Sequence, residues 1–269
     1  MRKNILNLRE PIVMGILNLT PDSFYDGGSF NNEEQWIKRA EQIVNEGGDV
    51  IDLGAVSTRP GAKEISVKEE EERLLPALEI IRKKFPDILI SVDTYRADIA
   101  RKAVNLGADI INDISAGTMD ADMPKTISEL KVPYILMHMQ GKPKNMQDSP
   151  LYNDVVDDII NYFRNRITVF NKFGFDDIIL DPGFGFGKTI SNNYHILKKL
   201  RSFSTFGYPL LVGLSRKSMI TKVLHNKSKD ALNGTTVLNT VAIKNGANIL
   251  RVHDVKEAVE TIALVSLTE

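Results

Sequence analysis

Side chains able to do chemistry recur at one kind of place along this chain, directly after a short apolar run. They are Asn18, then Ser57, Thr58 and Arg59 a little past the second run, Asp93, Asn112, His138, Asp181, the trio Ser215, Arg216 and Lys217, Arg251 and His253. Sorted by charge, they fall into two sets. Arg59, Lys217, Arg251 and His253 suit a phosphate or pyrophosphate, because arginine presents a planar fork of donors to an oxyanion. Asn18 beside them offers a neutral oxygen. Mg2+ takes few protein ligands besides water and substrate phosphates, so one asparagine suffices to anchor it. Asp93, Asn112 and Asp181 form the second set. A buried carboxylate without a partner is costly, whereas a heterocycle with adjacent N–H donors gives it two parallel hydrogen bonds. The plainer alternatives are that the cations are solvated rim residues and that Asp93 and Asp181 pair with neighbouring Lys or Arg. Asp52, inside an apolar run rather than after it, is expected to be such an ion-paired residue.

The runs that must position these groups lie at 12–17, 50–53, 88–92, 109–111, 134–137, 178–180, 210–213 and 249–252. They are β-branched or Leu-rich on consecutive positions, as expected of parallel strands buried on both faces. Helical periodicity fills the intervals. Val255, Ala258, Val259, Ile262, Ala263 and Ser266 share one face, as do Leu74, Leu78, Ile81 and Phe85 after an acidic start at 69–72. A weak repeat marks the same unit. Gly47-Gly48-Asp49-Val50-Ile51, Gly107-Ala108-Asp109-Ile110-Ile111 and Gly246-Ala247-Asn248-Ile249-Leu250 each read as a glycine ending a helix, a polar turn and a buried strand. About eight such units in 269 residues predict an α/β fold, a single-domain (β/α)8 TIM barrel over 1–269, rather than an open doubly wound sheet. In a barrel the strand-end polar groups converge on the C-terminal mouth, where active sites sit. The polar stretch 140–151 reads as one extended loop.

Composition removes several classes. Lys+Arg 34 against Asp+Glu 35 leaves no global field for nucleic acid or a membrane, so an anionic ligand must be held by local charge. The 42% hydrophobic content is enough for a sizeable core. Cysteine is absent, which excludes disulfides and thiolate chemistry and fits a reducing compartment. The apolar stretch 12–19 is too short and too interrupted for a membrane span, so a cytoplasmic location is expected. The glycine-rich segment 183–189 lacks P-loop spacing, since Pro182 stands five before Gly187. The four histidines show no i, i+4 pair, and Ser215 has no nucleophile-elbow setting.

With these motifs in view, the chain resembles the dihydropteroate synthase family. The resemblance rests on Met14-Gly15-Ile16-Leu17-Asn18-Leu19-Thr20-Pro21-Asp22-Ser23-Phe24 with Asp26-Gly27-Gly28, and on Ser57-Thr58-Arg59-Pro60-Gly61-Ala62. Ser91-Val92-Asp93-Thr94, Ile111-Asn112-Asp113, Met137-His138-Met139-Gln140-Gly141 and Asp181-Pro182-Gly183-Phe184-Gly185-Phe186-Gly187-Lys188 follow in order. Ser215-Arg216-Lys217-Ser218 and Arg251-Val252-His253-Asp254 complete a set that spans almost the whole chain. Ala55, where the family more often has glycine, is a small departure.

The resemblance implies a barrel that condenses 6-hydroxymethyl-7,8-dihydropterin pyrophosphate with p-aminobenzoate, releasing pyrophosphate and forming dihydropteroate. It implies that Asp93, Asn112, Asp181 and Lys217 hold the pterin, with Met137 and Arg251 against its faces. It places Asn18, Arg59, Arg251 and His253 at the pyrophosphate, with Mg2+ at Asn18, and Thr58, Arg59, Pro60, Phe186, Lys217 and Ser218 around the aminobenzoate. It further implies departure of pyrophosphate before arylamine attack, mobile lids at 18–32 and 57–66, and a homodimer. A pterin-binding methyltransferase barrel shares the pterin pocket but needs neither Asn18 with Mg2+ nor the anion set. A catalytically silent pterin-binding barrel is the alternative from another class.

Overall fold

The strands form where the sequence crowds β-branched and leucine side chains: β1 (Ile12–Asn18), β2 (Val50–Gly54), β3 (Leu89–Asp93), β4 (Ile110–Asp113), β5 (Tyr134–Met137), β6 (Ile178–Asp181), β7 (Leu211–Val212) and β8 (Ile249–Val252). The structure is a computed structural model that describes residues 8, 10–19, 29–56, 65–141, 146 and 150–268, with backbone alone at 29–32. All strand pairs are parallel, in the order β6-β5-β4-β3-β2-β1-β8-β7. A parallel bridge between Leu180 and Leu210, with Leu180 N donating to Pro209 O at 2.8 Å, brings the two outer strands together and nearly closes the barrel.

Alternation along each strand sorts side chains into two cores. Met14, Val50, Ile110, Ile135, Ile179, Leu211 and Ile249 point inward and fill the barrel floor. Their neighbours Val13, Ile51, Ile111, Leu136, Ile178, Val212 and Leu250 point outward into the larger core beneath the helices. Above the floor the inward positions turn polar, and that change of register defines the site. The ladder pairs Asn18 with Gly54, Gly54 with Asp93, and Asp93 with Asn112, so these residues stand on one rung.

The helices are α1 (Ser29–Asn45), α2 (Val67–Lys84), α3 (Ala97–Asn105), α4 (Met123–Leu130), α5 (Val155–Asn171), α6 (Ile190–Lys198), α7 (Ser218–Thr221), α8 (Leu232–Lys244) and α9 (Val255–Ser266). The Ser66 hydroxyl caps α2 by accepting from Glu69 N at 3.1 Å, and Asp154 caps α5 by accepting from Val156 N at 2.8 Å. Among the described residues, no helix is long and apolar enough to cross a membrane.

The internal repeat has a physical cause. Gly47, Gly107 and Gly246 all adopt left-handed backbone, at φ 86°, 103° and 94°, and so reverse the chain after a helix. The polar residue two places later then accepts from a neighbouring strand. Asp49 takes Val13 N at 2.8 Å, Asp109 takes Ile90 N at 3.0 Å, and Asn248 takes Leu210 N at 2.9 Å. β7, at Leu211–Val212, is shorter than the expected 210–213, and Leu210 is left in the isolated bridge to Leu180. Elsewhere the strands run further than expected. Asn18, Asp93 and Asp181 are the final residues of their strands, and Asn112 lies inside β4, because backbone pairing continues beneath polar side chains.

Candidate active site

At the centre of the mouth, Arg251 reaches from β8 across to β2. Its Nε donates to Asp52 Oδ2 at 2.7 Å, and Nη2 lies 2.6 Å from the same oxygen and 3.1 Å from Asp93 Oδ2. Asn112 Nδ2 lies 3.3 Å from Asp52 Oδ2 and 3.4 Å from Oδ1. Asp52 is fully buried, so its pairing with a cation is the reading expected for a carboxylate within a strand. Asp93 receives the weaker share of Arg251. Burial pushes its pKa up to about 7 against the pull of Arg251, and Asp52, Asp113 and Glu70 push the same way. Asp113, beside Asn112, is instead structural, accepting from Tyr134 Oη at 2.6 Å, Ser115 N at 2.7 Å and Gly117 N at 2.8 Å.

Asp181 at the end of β6 is also buried, and burial raises its pKa against the attraction of Lys217 and a 2.7 Å bond from Gly183 N. Lys217 donates to Phe184 O, and its Nζ stands 5.0 Å from the centroid of the Phe186 ring. Burial lowers the Lys217 pKa to about 8. Met137 packs with Tyr95 and Ile114, with Val56, Met119, Met139 and Phe186 at the edge of the cluster, giving the polar rung an apolar wall. The segment that carries Phe186 is tied down by Lys188. Its buried ammonium donates to Gly183 O at 2.8 Å, Phe186 O at 3.0 Å and His138 O at 3.2 Å, with His138 Nδ1 at 2.9 Å. His138 and Lys188 therefore knot two loops together, and burial lowers both pKa values.

On the β1–β8 side, the Asn18 amide makes no hydrogen bond among the described residues. A Cβ placed on Gly54 would lie 3.9 Å from Asn18 Oδ1 and 3.7 Å from Asp93 Oδ2, so the bare glycine leaves open the gap between them. His253 bonds to Ser215 Oγ through both its backbone N, at 3.2 Å, and Nδ1, at 3.1 Å. Burial and Arg251 lower its pKa to about 4, so it is a neutral imidazole near pH 7. Arg216, at the left-handed φ of 58°, forks onto Asp254 at 2.9 and 2.5 Å. That strained residue separates Ser215, which holds His253, from Lys217, which holds the loop containing Phe184.

Three expectations need correction. The charge sets interleave: Arg251 and Lys217 sit among Asp52, Asp93 and Asp181, because long cationic side chains cross the mouth to carboxylates on other strands. His253 is not a cation at neutral pH, for the reason just given. Lid boundaries also move, since Asn18 is a strand residue, residues 29–32 are helical and Ser66 is a cap. Thr58, Arg59 and Pro60, with most of both proposed lids, lie outside the described residues. Ser218 begins α7 and is exposed. Sequence reasoning missed Lys188 and Arg39, which bind backbone carbonyls and so leave no periodic signal.

Comparison with known proteins bears on this geometry. A family model described as pterin binding enzyme matches residues 14–253. The dihydropteroate synthase of Escherichia coli strain K12 is 45% identical over 269 residues, covering 98% of this chain and 93% of the relative. That of Haemophilus influenzae strain Rd is 43% identical over 252 residues, covering 93% and 91%. The Yersinia pestis dihydropteroate synthase, solved with a sulfonamide drug complex, superposes with TM-score 0.92 at 43% identity, covering 98% of this chain and 96% of that one. The Xanthomonas albilineans enzyme with 4-aminobenzoic acid gives TM-score 0.92 at 36% identity, covering 98% and 94%.

Proposed function

The chain belongs to the dihydropteroate synthases within the pterin binding enzyme family, and from that premise we propose how its barrel mouth divides the work. As a transferase of folate biosynthesis, it joins the pterinylmethyl group of 6-hydroxymethyl-7,8-dihydropterin pyrophosphate to the nitrogen of p-aminobenzoate, giving 7,8-dihydropteroate and pyrophosphate. In our reading the pterin lies over the rung of Asp93 and Asn112, with Asp181 two residues past that rung on β6. Its N–H edge would meet the carboxylates, and its faces would meet Met137 and Arg251. The observation that carries this assignment is the buried carboxylate of Asp181 and the partly buried one of Asp93, both raised in pKa by desolvation, set beside an apolar wall around Met137. Ring N–H donors would compensate the desolvation that raises both pKa values.

The pyrophosphate would extend toward Asn18, His253 and Arg251, with Arg59 closing from the second loop. Asn18 suits Mg2+, since its carboxamide is unspent among the described residues and faces the gap left by Gly54. No group of three or more His, Cys, Asp or Glu able to hold a metal occurs among the described residues, so water and substrate oxygens would supply the remaining ligands. When bound, the ion supplies charge neutralisation for the leaving pyrophosphate. Phe186, Lys217 and Ser218 would frame the aminobenzoate, together with Thr58, Arg59 and Pro60.

The C–O bond then breaks with its electron pair leaving on pyrophosphate oxygen. Asp93 and Asp181 favour the positive charge left on the pterin. The arylamine nitrogen forms the C–N bond and sheds one proton. A substrate labelled with 18O in the bridging position tests the step, because C–O cleavage carries the label into pyrophosphate. Retention of the label on the pterin side would refute it. A normal secondary isotope effect on deuteration of the methylene is expected if departure precedes attack; an effect at or below unity opposes that order. We also infer a homodimer from the resemblance, with support from exposed Val237 and Val241 on one face of α8; sedimentation as a monomer at micromolar concentration would rule it out.

A further inference from the structure

The β1–β8 ladder stops at Gly15 and Val252, and one residue further a single guanidinium spans the two strands. Arg39 of α1 donates from Nη2 to His253 O at 2.6 Å and from Nε to Ile16 O at 3.3 Å. Its Nη1 donates to Gln42 Oε1 at 2.9 Å. Arginine carries five N–H donors, so two are left unspent. Arg39 forms no ion pair among the described residues, and burial lowers its pKa from the usual value. A cavity of about 340 Å³ opens on this cation, lined also by Ile16, Asn18, Gln42, Arg216, His253 and Asp254. Arg216 is matched by its fork onto Asp254, and His253 is neutral. The charge that Arg39 brings to the cavity is therefore not cancelled by a bonded carboxylate.

We propose that this cavity receives the distal phosphate of the leaving pyrophosphate, with Arg39 as its specificity-determining cation and as the positioning residue for the ends of β1 and β8. The proposal rests on the synthase reading, which puts the pyrophosphate at Asn18 and His253, two residues of the same cavity wall. A guanidinium already held by Ile16 O and His253 O meets an incoming phosphate without further ordering, and its two remaining donors match phosphate oxygens. Because it grips the carbonyl of His253 itself, it also fixes the distance between the Asn18 and His253 sides of the cavity.

Two variants test this in the full-length enzyme. Arg39→Gln removes the charge. Gln42→Glu, at an exposed helical position on the cavity wall, sets an anion on the atom that Arg39 already contacts and neutralises the cation, with loss of the hydrogen bond from Gln42 Nε2 to Glu46 Oε1. Inorganic pyrophosphate is the probe, measured as a product inhibitor, with 6-hydroxymethylpterin lacking phosphate as the control ligand. Each variant is expected to weaken inhibition by pyrophosphate roughly tenfold, the scale of one charge-assisted hydrogen bond, while pterin affinity stays within about twofold. Arg39→Lys should recover part of the loss. Unchanged inhibition in Gln42→Glu, or equal weakening of both ligands, would overturn the proposal while wild-type turnover left the synthase reading intact. A wild-type protein that forms no dihydropteroate would instead remove the reading on which the proposal stands.

Discussion

Asp52 and Arg251 meet inside the barrel from β2 and β8, with contacts of 2.6 and 2.7 Å to one carboxylate oxygen, and Asn112 approaches the same carboxylate at 3.3 Å. One buried anion therefore orients both a cation and an amide of the proposed pterin site. Asp52→Ala would leave Arg251 buried and less well paired, which typically costs roughly 3–5 kcal/mol. Urea unfolding should show that loss, and steady-state kinetics should show a raised KM for the pterin substrate. Full stability with normal pterin binding would mean that the pair has no organising role.

The pH dependence follows from Asp93 and Lys217. Burial holds Asp93 near pKa 7, so the carboxylate that accepts from the pterin is populated as pH rises through that value. Lys217, lowered to about 8, loses its charge as pH climbs further. kcat/KM for the pterin substrate should rise between about pH 6 and 7 and fall above about 8. His253, at about 4, contributes no limb in that range. Asp93→Asn should abolish the rising limb; a profile unchanged by that substitution assigns the limb to another group.

Much of the frame is legible in the sequence. Strands at 134–137 and 249–252 are found as expected, because apolar runs with sharp polar ends leave little freedom in register. The polar set of Asn18, Asp93, Asn112 and Asp181 is visible as polarity at strand ends, although the strands pass beneath these residues rather than stopping short of them. The division of charge was not legible. Position along the chain says nothing of a guanidinium that crosses from β8 to β2, nor of Arg39 bridging two carbonyls from a helix. Lys188 illustrates the same limit: its glycine-rich segment lacks P-loop spacing, and nothing in the sequence shows that its ammonium is consumed by Gly183, Phe186 and His138.

Pterin and pyrophosphate binding should separate by mutation. Asp181→Ala removes one of the two carboxylates assigned to the pterin and is expected to weaken binding of 6-hydroxymethylpterin by at least tenfold. Asn18→Ala leaves both carboxylates in place and should mainly weaken Mg2+-dependent binding of pyrophosphate. Calorimetry on both variants with both ligands decides the matter; equal losses for the two ligands would undo the division.

Gly183 is the least replaceable position of its loop. It holds φ at +68°, and an added Cβ would stand 2.0 Å from His138 O. At Gly185, φ is +83° and the nearest atom, on the flexible Lys217 side chain, would be at 3.4 Å. Both alanine variants incur the left-handed penalty, roughly 1–2 kcal/mol. Gly183→Ala must also displace the backbone that carries Phe186. Thermal unfolding should rank Gly183→Ala well below Gly185→Ala, with the larger rise in KM for p-aminobenzoate; the reverse order would contradict the packing described.

The most direct test of the account is the reaction itself. Purified protein mixed with Mg2+, 6-hydroxymethyl-7,8-dihydropterin pyrophosphate and p-aminobenzoate should form 7,8-dihydropteroate and pyrophosphate in equal amounts, and Asp181→Ala should lose most of that turnover. A folded wild-type protein that yields neither product, or that releases pyrophosphate without joining the arylamine, would contradict it.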